Sequence, residues 1–148
     1  MTTIILTIIG ILLAAAAALM VIFYGGDAFN SGSVGAQANT LQNAGTNVIA
    51  AVQLYRADTG VEPKAEADLT TAGPSGTYLK EAPALPTSAT PLYVADSVTT
   101  PTKLVSYHVS GVDAAVCARV NKNLKLTGTV TLDSGKMGCA GNVFFASL

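Results

Sequence analysis

The sequence predicts an α+β protein in which one long N-terminal helix, apolar in its first half and amphipathic in its second, packs on a small antiparallel β-sheet head. Three observations carry the prediction: an uncharged apolar run at the start, a polar segment with helical periodicity, and alternating segments in the last third. We expect an apolar transmembrane or filament-core helix over 1–33, an amphipathic helix over 34–60, and a connecting loop and sheet over 61–148.

The apolar segment, residues 4–24, holds 21 uncharged and almost wholly apolar positions. As a helix it is about 31 Å long, enough to cross a bilayer or to fill a filament core. A secretory signal peptide needs a basic region before the run, and a simple membrane anchor usually has basic flanks, but the first basic side chain is Arg56. We therefore favour a helix that starts in the membrane and later packs against copies of itself. The predicted core side chains are Ile4, Ile5, Leu6, Ile8, Ile9, Ile11, Leu12, Leu13, Leu19, Val21, Ile22 and Phe23.

Glycines follow the apolar segment at Gly25, Gly26, Gly32 and Gly35. Each glycine in a helix interior costs about 1 kcal/mol relative to alanine. We expect a flexible break in the helix over this patch.

Beyond the glycines, apolar residues recur at spacings of mostly four and three and trace one face of a helix. They are Val34, Ala38, Leu41, Gly45, Val48, Val52 and Tyr55. The opposite face is polar but uncharged, with Gln37, Thr40, Gln42, Asn43, Thr46, Asn47 and Gln53. Such a face suits hydrogen bonding between packed subunits, although chance composition is an alternative. The helix should end at Gly60, because glycine suits a left-handed cap and Pro63 prevents continuation.

Residues 61–101 contain all six prolines and no sustained period, so we expect short strands or turns there. From Lys103 onward the pattern alternates, which predicts half-buried antiparallel strands. The residues predicted to point inward are Val105, Tyr107 and Val109, then Val116, Ala118 and Val120, then Leu126, Val130 and Leu132. Turns are expected at Ser110-Gly111, at Asn121 to Asn123, and at Asp133 to Gly135.

The two cysteines, Cys117 and Cys139, lie 22 positions apart. A disulfide between them would contribute roughly 3 kcal/mol on the loop-entropy model and would indicate an oxidising compartment. Two free thiols are the alternative. Two cysteines and one histidine cannot make a four-ligand zinc site of Cys and His type.

The charges are unevenly distributed along the chain. Only Asp27 precedes Arg56; residues 56–100 carry three basic and six acidic side chains, and residues 101–148 carry five basic and two acidic. The net charge of −1 argues against a dedicated nucleic-acid binder, which needs a strongly basic surface. Self-association through opposite patches fits these charges better.

The sequence offers no catalytic constellation, and we expect neither an enzyme nor a cofactor. His108 is the single imidazole, expected on the outer face of a strand without a catalytic partner. Asp113 and Asp133 could join carbonyl oxygens around calcium, but no dense run of oxygen ligands accompanies them. A small basic cluster of Arg119, Lys122 and Lys125 fits a solvated edge, with an anionic surface or DNA as the alternative partner.

These features together resemble type IV pilins and pseudopilins. The resemblance rests on the N-terminal apolar helix, its amphipathic continuation, the exit Tyr55-Arg56-Ala57-Asp58-Thr59-Gly60-Val61-Glu62-Pro63, the sheet and the late cysteine pair. A chain that starts with Met is similar to the type IVb branch, which implies leader removal by a prepilin peptidase, N-methylation of Met1 and a disulfide-bounded C-terminal region. The family has Glu at the fifth mature position, where this chain has Ile5. Either the mature numbering differs, or the N-terminal amine is neutralised in another way, for example through the hydroxyls of Thr2 or Thr3.

The resemblance implies a structural subunit of an extracellular type IV-like pilus, a homopolymer stored in the bacterial inner membrane and assembled by a pilus machinery. Two alternatives are a pseudopilin of a type II secretion-like system and a membrane-tethered extracytoplasmic binding module. No specific nucleic-acid partner is expected.

Overall fold

The computed structural model has the predicted α+β architecture. It describes residues 2–71, 73, 76–86, 88–97, 99–132 and 135–148. In that part of the chain the elements are α1 (Thr2–Thr59), α2 (Glu66–Thr70), β1 (Thr90–Ala95), β2 (Leu104–Ser110), α3 (Ala114–Asn123), β3 (Met137–Ala140) and β4 (Val143–Ser147). The four strands form one antiparallel sheet in the order β1-β2-β4-β3.

The chain divides into two compact units, Met1–Val34 and Gly35–Leu148. The first unit contains the beginning of α1. The second unit, called the head below, contains the rest of α1 and every other element of the described chain.

Within the head, α1 buries the apolar face that the sequence predicts. Ala38, Leu41, Val48 and Val52 are at most 1% exposed, and they recur at helical spacing. The helix ends as expected, because Gly60 has a φ of 69° and its N–H donates to the carbonyl oxygen of Arg56 at 3.0 Å.

The sheet packs closely against α1 at Gly45. A Cβ atom at this position would lie 2.9 Å from Cε of Met137 and 3.0 Å from Cζ of Phe144. The absent side chain therefore provides the space into which Phe144 of β4 packs.

A second part of the core lies between the end of α1 and the connection that follows it. Ala51 and Val52 pack there with Leu69, Leu79 and Leu104. The N–H of Leu79 donates to the carbonyl oxygen of Leu69 at 2.8 Å. The N–H of Leu104 donates to the carbonyl oxygen of Pro63 at 2.7 Å. The proline-rich connection is thus divided by α2 and β1, and its backbone is bonded to neighbouring segments.

The prediction of a strand over Val116, Ala118 and Val120 is wrong, because this segment is the helix α3. Asp113 caps its N-terminus by accepting a hydrogen bond from the N–H of Ala115 at 2.8 Å. The buried residues are Val116, Cys117 and Val120, a helical spacing, whereas Ala118 is exposed. The turn predicted at Asn121 to Asn123 is also wrong, since these residues form the last turn of α3.

The strand predicted over Leu126, Val130 and Leu132 does not form. Positive φ angles at Lys125, 55°, and at Gly128, 90°, are incompatible with extended pairing there. The strands that complete the sheet are β3 and β4, which the sequence prediction missed. Of the turn predicted at Asp133 to Gly135, Asp133 and Ser134 lie outside the described residues.

One position within β2 also differs from the prediction. Val105 is 39% exposed rather than inward, while Tyr107 and Val109 are fully buried as expected. The pairing with β1 shifts between Val94 and Ala95, so the alternation of β2 is interrupted opposite this irregularity.

Candidate functional site

The most unusual surface is the apolar segment at the start of α1. α1 contains a stretch long and apolar enough to cross a membrane, and none of that stretch is buried within the subunit. Its large side chains are between 48% and 72% exposed. They are Met20 and the predicted core residues Ile4, Ile5, Leu6, Ile8, Ile9, Ile11, Leu12, Leu13, Leu19, Val21, Ile22 and Phe23.

Exposure of this kind has a large free-energy cost in water. Burial of an Ile or Leu side chain is worth about 1.5–3 kcal/mol, and the described part of the segment holds thirteen large apolar side chains that the subunit itself leaves uncovered. The segment therefore requires an apolar environment, which either lipid or other helices can supply.

The polar groups of the apolar segment suit such an environment. The hydroxyl of Thr7 donates to the carbonyl oxygen of Thr3 at 2.5 Å, within the same helix. A hydroxyl bonded to its own helix needs no water or outside partner. Met1, the predicted methylation site, lies outside the described residues, so its modification stays a prediction.

The glycine patch does not interrupt the secondary structure. α1 is a continuous helix through Gly25, Gly26, Gly32 and Gly35, so the predicted break is not a break in the helix. Glycine lowers helix propensity but keeps its backbone N–H, so the hydrogen-bond ladder can continue. A Cβ atom at any of the first three positions would meet nothing within 4 Å, and at Gly35 only the guanidinium of Arg119 at 4.0 Å. Bending of the helix at this patch stays a prediction.

The cysteine pair forms the predicted disulfide. Cys117 on α3 is bonded to Cys139 on β3, with Cα atoms 5.3 Å apart, and both residues are buried. The bond therefore joins the helix α3 to the edge strand of the sheet.

The uncharged polar face of α1 is only partly exposed. Gln42 is half-buried, and its side-chain amide donates to the carbonyl oxygen of Val120 at 3.5 Å. Asn43 and Asn47 are exposed and line a cavity of about 200 Å³ together with Pro83 and Ala84. Some of this face thus bonds within the head, and the exposed remainder presents amides to its surroundings.

The side chains of His108 and Asp113 make contacts within the head. His108 is half-buried, and its Nε2 lies 3.2 Å from the hydroxyl oxygen of Ser106. Asp113 serves as the cap of α3, and Asp133 lies outside the described residues. In the part of the chain that the structure describes, no group of three or more His, Cys, Asp or Glu side chains is placed to hold a metal ion.

The basic cluster lies on and just after α3. Arg119, Lys122 and Lys125 are exposed, and no described carboxylate lies within ion-pair distance of them. α3 packs along the start of the head's part of α1, where the amide of Asn123 donates to the side-chain oxygen of Asn39 at 3.4 Å.

Two phenol hydroxyls that the sequence pattern does not reveal are buried in the core, on the half-buried Tyr93 and the fully buried Tyr107. The rings of Tyr93 and Tyr107 are 5.0 Å apart, and neither hydroxyl has a hydrogen-bond partner among the described residues. Burial, followed by the negative charge of Glu66, raises the pKa of Tyr107 to about 12. Burial also raises the pKa of Tyr93, with smaller contributions from Tyr107 and Glu66. Alternation placed Tyr107 in the core but gave no sign of an unpaired hydroxyl.

Comparison of the chain with protein-family models, with curated proteins and with solved structures gives no match. The features that bear on function are therefore the exposed apolar segment, the disulfide-bonded head and the distribution of charge.

Proposed function

We propose that this chain is a structural subunit that polymerises into an extracellular filament of the type IV pilus kind. The observation that carries the proposal is the apolar segment, whose large side chains from Ile4 to Phe23 remain exposed in the single subunit. Packing of many copies of this segment removes those side chains from water and gives a continuous helical core.

The mechanism is an exchange of one apolar environment for another. The precursor is held in the bacterial inner membrane by the same helix that later enters the filament core, so the helix never crosses into water. A prepilin peptidase removes a leader before Met1, which is then methylated, and a pilus assembly machinery extracts the subunit. The buried disulfide between Cys117 and Cys139 supports a head that functions in an oxidising compartment.

Small residues within the apolar segment favour close helix packing. Gly10 and Ala14 to Ala18 leave room for a neighbouring backbone, and a Cβ atom at Gly10 would meet nothing within the subunit. Enlarging these positions should therefore hinder contacts between copies without disturbing the subunit itself.

The experiment compares filament yield for Gly10→Leu combined with Ala16→Leu against the volume-conserving control Leu12→Met. Because the double variant stays apolar, membrane insertion and the fold of the head should be unchanged while filament yield falls about tenfold or more. Wild-type yield from the double variant would contradict core packing through this face.

The glycine patch has its own test within the same proposal. Gly25→Leu with Gly26→Leu should stiffen the helix and reduce filament yield without unfolding the head, because neither position has a neighbour within 4 Å. Unchanged filament yield would remove the hinge from the mechanism.

A membrane-tethered module is the second candidate, favoured by the length and apolarity of α1 alone. Such a module would stay monomeric in detergent and tolerate both double variants. A pseudopilin would instead form short periplasmic assemblies and no abundant long fibres.

A further inference from the structure

Two oppositely charged surfaces occupy different ends of the head. The basic surface is formed by Arg119, Lys122 and Lys125, and residues 114–132 contain no carboxylate. The acidic surface is formed by α2 and the loop before it, where Glu62, Glu66 and Asp68 outnumber the single cation Lys64.

The contacts with α1 fix where each surface lies. The basic surface is beside the beginning of the head's part of α1, because the amide of Asn123 bonds to Asn39 and that of Gln42 bonds to the carbonyl of Val120. The acidic surface is beside the end of α1, because Leu69 of α2 packs on Ala51 and Val52. From Asn39 to Val52 the helix rises about 20 Å, so the two surfaces lie well apart along its axis.

Three cations lie in or beside the acidic surface, Lys64, Arg56 and Lys103, and a fourth anion, Asp96, which accepts from the N–H of Lys103 at 3.1 Å, leaves the surface net negative. Arg56 forms an ion pair with Glu62 at 2.6 Å. Asp68 accepts hydrogen bonds from the backbone N–H groups of Lys64 and Ala65 at 2.6 and 3.1 Å, which leaves its charge in place. Lys103 adjoins this end, because the N–H of Leu104 donates to the carbonyl of Pro63. Glu66 is exposed, and its charge reaches the phenols of Tyr93 and Tyr107.

We propose that the basic surface of one copy docks on the acidic surface of the next copy along the filament, with Lys122 and Glu66 as the charges that set the register. The inference rests on the proposed function, because its partner is a second copy of this chain in the same assembly. Two different surfaces at opposite ends make a head-to-tail contact, which builds an open filament when the rotation between copies does not close a ring. Complementary charges on such surfaces fix orientation and register more than they add affinity.

The test is a charge swap in the full chain, measured as the yield of sedimentable filaments at low and high salt. Lys122→Glu and Glu66→Lys should each reduce the yield about tenfold at low salt, since each places like charges opposite one another. The double variant restores opposite charges and should return the yield to within about twofold of wild type. Lys80→Glu is the matched control, an exposed cation outside both surfaces, and it should leave the yield unchanged.

Each outcome separates this inference from the proposed function. Wild-type filaments together with a double variant no better than the single variants would overturn the charge docking alone. The same conclusion follows if Lys122→Glu behaves like Lys80→Glu. If the wild-type chain forms no filaments, the docking and the proposed function fail together. Circular dichroism of each detergent-solubilised variant establishes that its head has folded.

Discussion

The side-chain amide of Asn121 pairs with both backbone polar groups of Cys139. Its nitrogen donates to the Cys139 carbonyl at 2.8 Å, and its oxygen accepts from the Cys139 N–H at 2.9 Å. Cys139 lies on β3, the edge strand of the sheet, and its sulfur is bonded to that of Cys117 in the same helix as Asn121. One amide thus takes the place of a neighbouring strand and blocks further pairing at this point of the edge.

This pairing predicts a specific loss of stability. Asn121→Ala should lower the free energy of unfolding by about 2 kcal/mol, because two partly buried backbone groups lose their partner. Asn123→Ala is the matched control, since its amide makes one exposed contact at 3.4 Å, and it should change stability by less than about 0.5 kcal/mol. The measurement is urea unfolding of the full chain in detergent, followed by circular dichroism. Equal effects of the two substitutions would contradict the strand-like role of Asn121.

The close approach of sheet and helix predicts that Gly45 cannot be enlarged. Gly45→Val should destabilise the head by about 3 kcal/mol, because the new side chain must displace the buried ring of Phe144. Gly35→Val adds the same atoms where only the Arg119 guanidinium lies near, and it should be nearly neutral. The measurement is urea unfolding of both variants, and comparable stabilities would show that Phe144 does not pack tightly against Gly45.

The unpaired hydroxyl of Tyr107 predicts an uncommon result for a core substitution. Tyr107→Phe should leave stability unchanged or raise it by up to about 1 kcal/mol, because it removes a buried hydroxyl without a described partner. Tyr78→Phe is the control, since it deletes the hydrogen bond from the Tyr78 hydroxyl to Asp58 and should be destabilising. A loss of more than 1 kcal/mol for Tyr107→Phe, measured by urea unfolding, would mean that this hydroxyl is bonded after all.

The turn between β1 and β2 begins at Asp96, whose carboxyl group we expect to be strongly acidic. The hydroxyl of Thr102, then the N–H groups of Thr102 and Lys103, donate to Asp96 and lower its pKa to about 2. Because the folded-state pKa lies below the unfolded value of about 4, these bonds stabilise the turn above pH 4. That stabilisation is lost as the pH falls from about 4 to about 2.

The titration of Asp96 can be followed by NMR of its carboxyl carbon. Thr102→Val removes the hydroxyl but keeps the backbone donors, so it should raise the pKa of Asp96 toward the ordinary range. An ordinary pKa in the wild-type chain would show that the turn is open in solution.

The sequence predicted α1 and β2 because the apolar residues of each recur at the spacing of one type of secondary structure. In α1 the apolar face repeats from Ala38 to Val52 at helical spacing, and Gly60 gives a clear end. In β2 the inward positions of Tyr107 and Val109 are confirmed, but Ser106, expected to point outward, is buried, and the irregular pairing beside Ala95 leaves Val105 exposed.

α3 was misassigned because Val116, Ala118 and Val120 alternate as in a strand, while Val116, Cys117 and Val120 also fit one face of a helix. Ten residues are too few for periodicity alone to separate these patterns. Asp113 before two alanines was the available helix signal, because it is a favourable N-cap residue followed by strong helix formers.

β4 was missed because it is buried on both faces and does not alternate. Phe144 packs toward Gly45 of α1, whereas Phe145 lies on the other face with Leu126 and Gly138 nearby. Both rings are fully buried, so the strand appears in the sequence as a continuous apolar run. The exposed apolar segment, by contrast, could be predicted from its composition alone.

The central claim is that this chain polymerises through its apolar segment. The most direct test is negative-stain electron microscopy of material sheared from cells that express the chain, with mass spectrometry of the N-terminal peptide of the same material. We expect fibres that contain this chain with a methylated Met1. Membrane-bound monomers with an unmodified N-terminus and no fibres would contradict it and favour the tethered module.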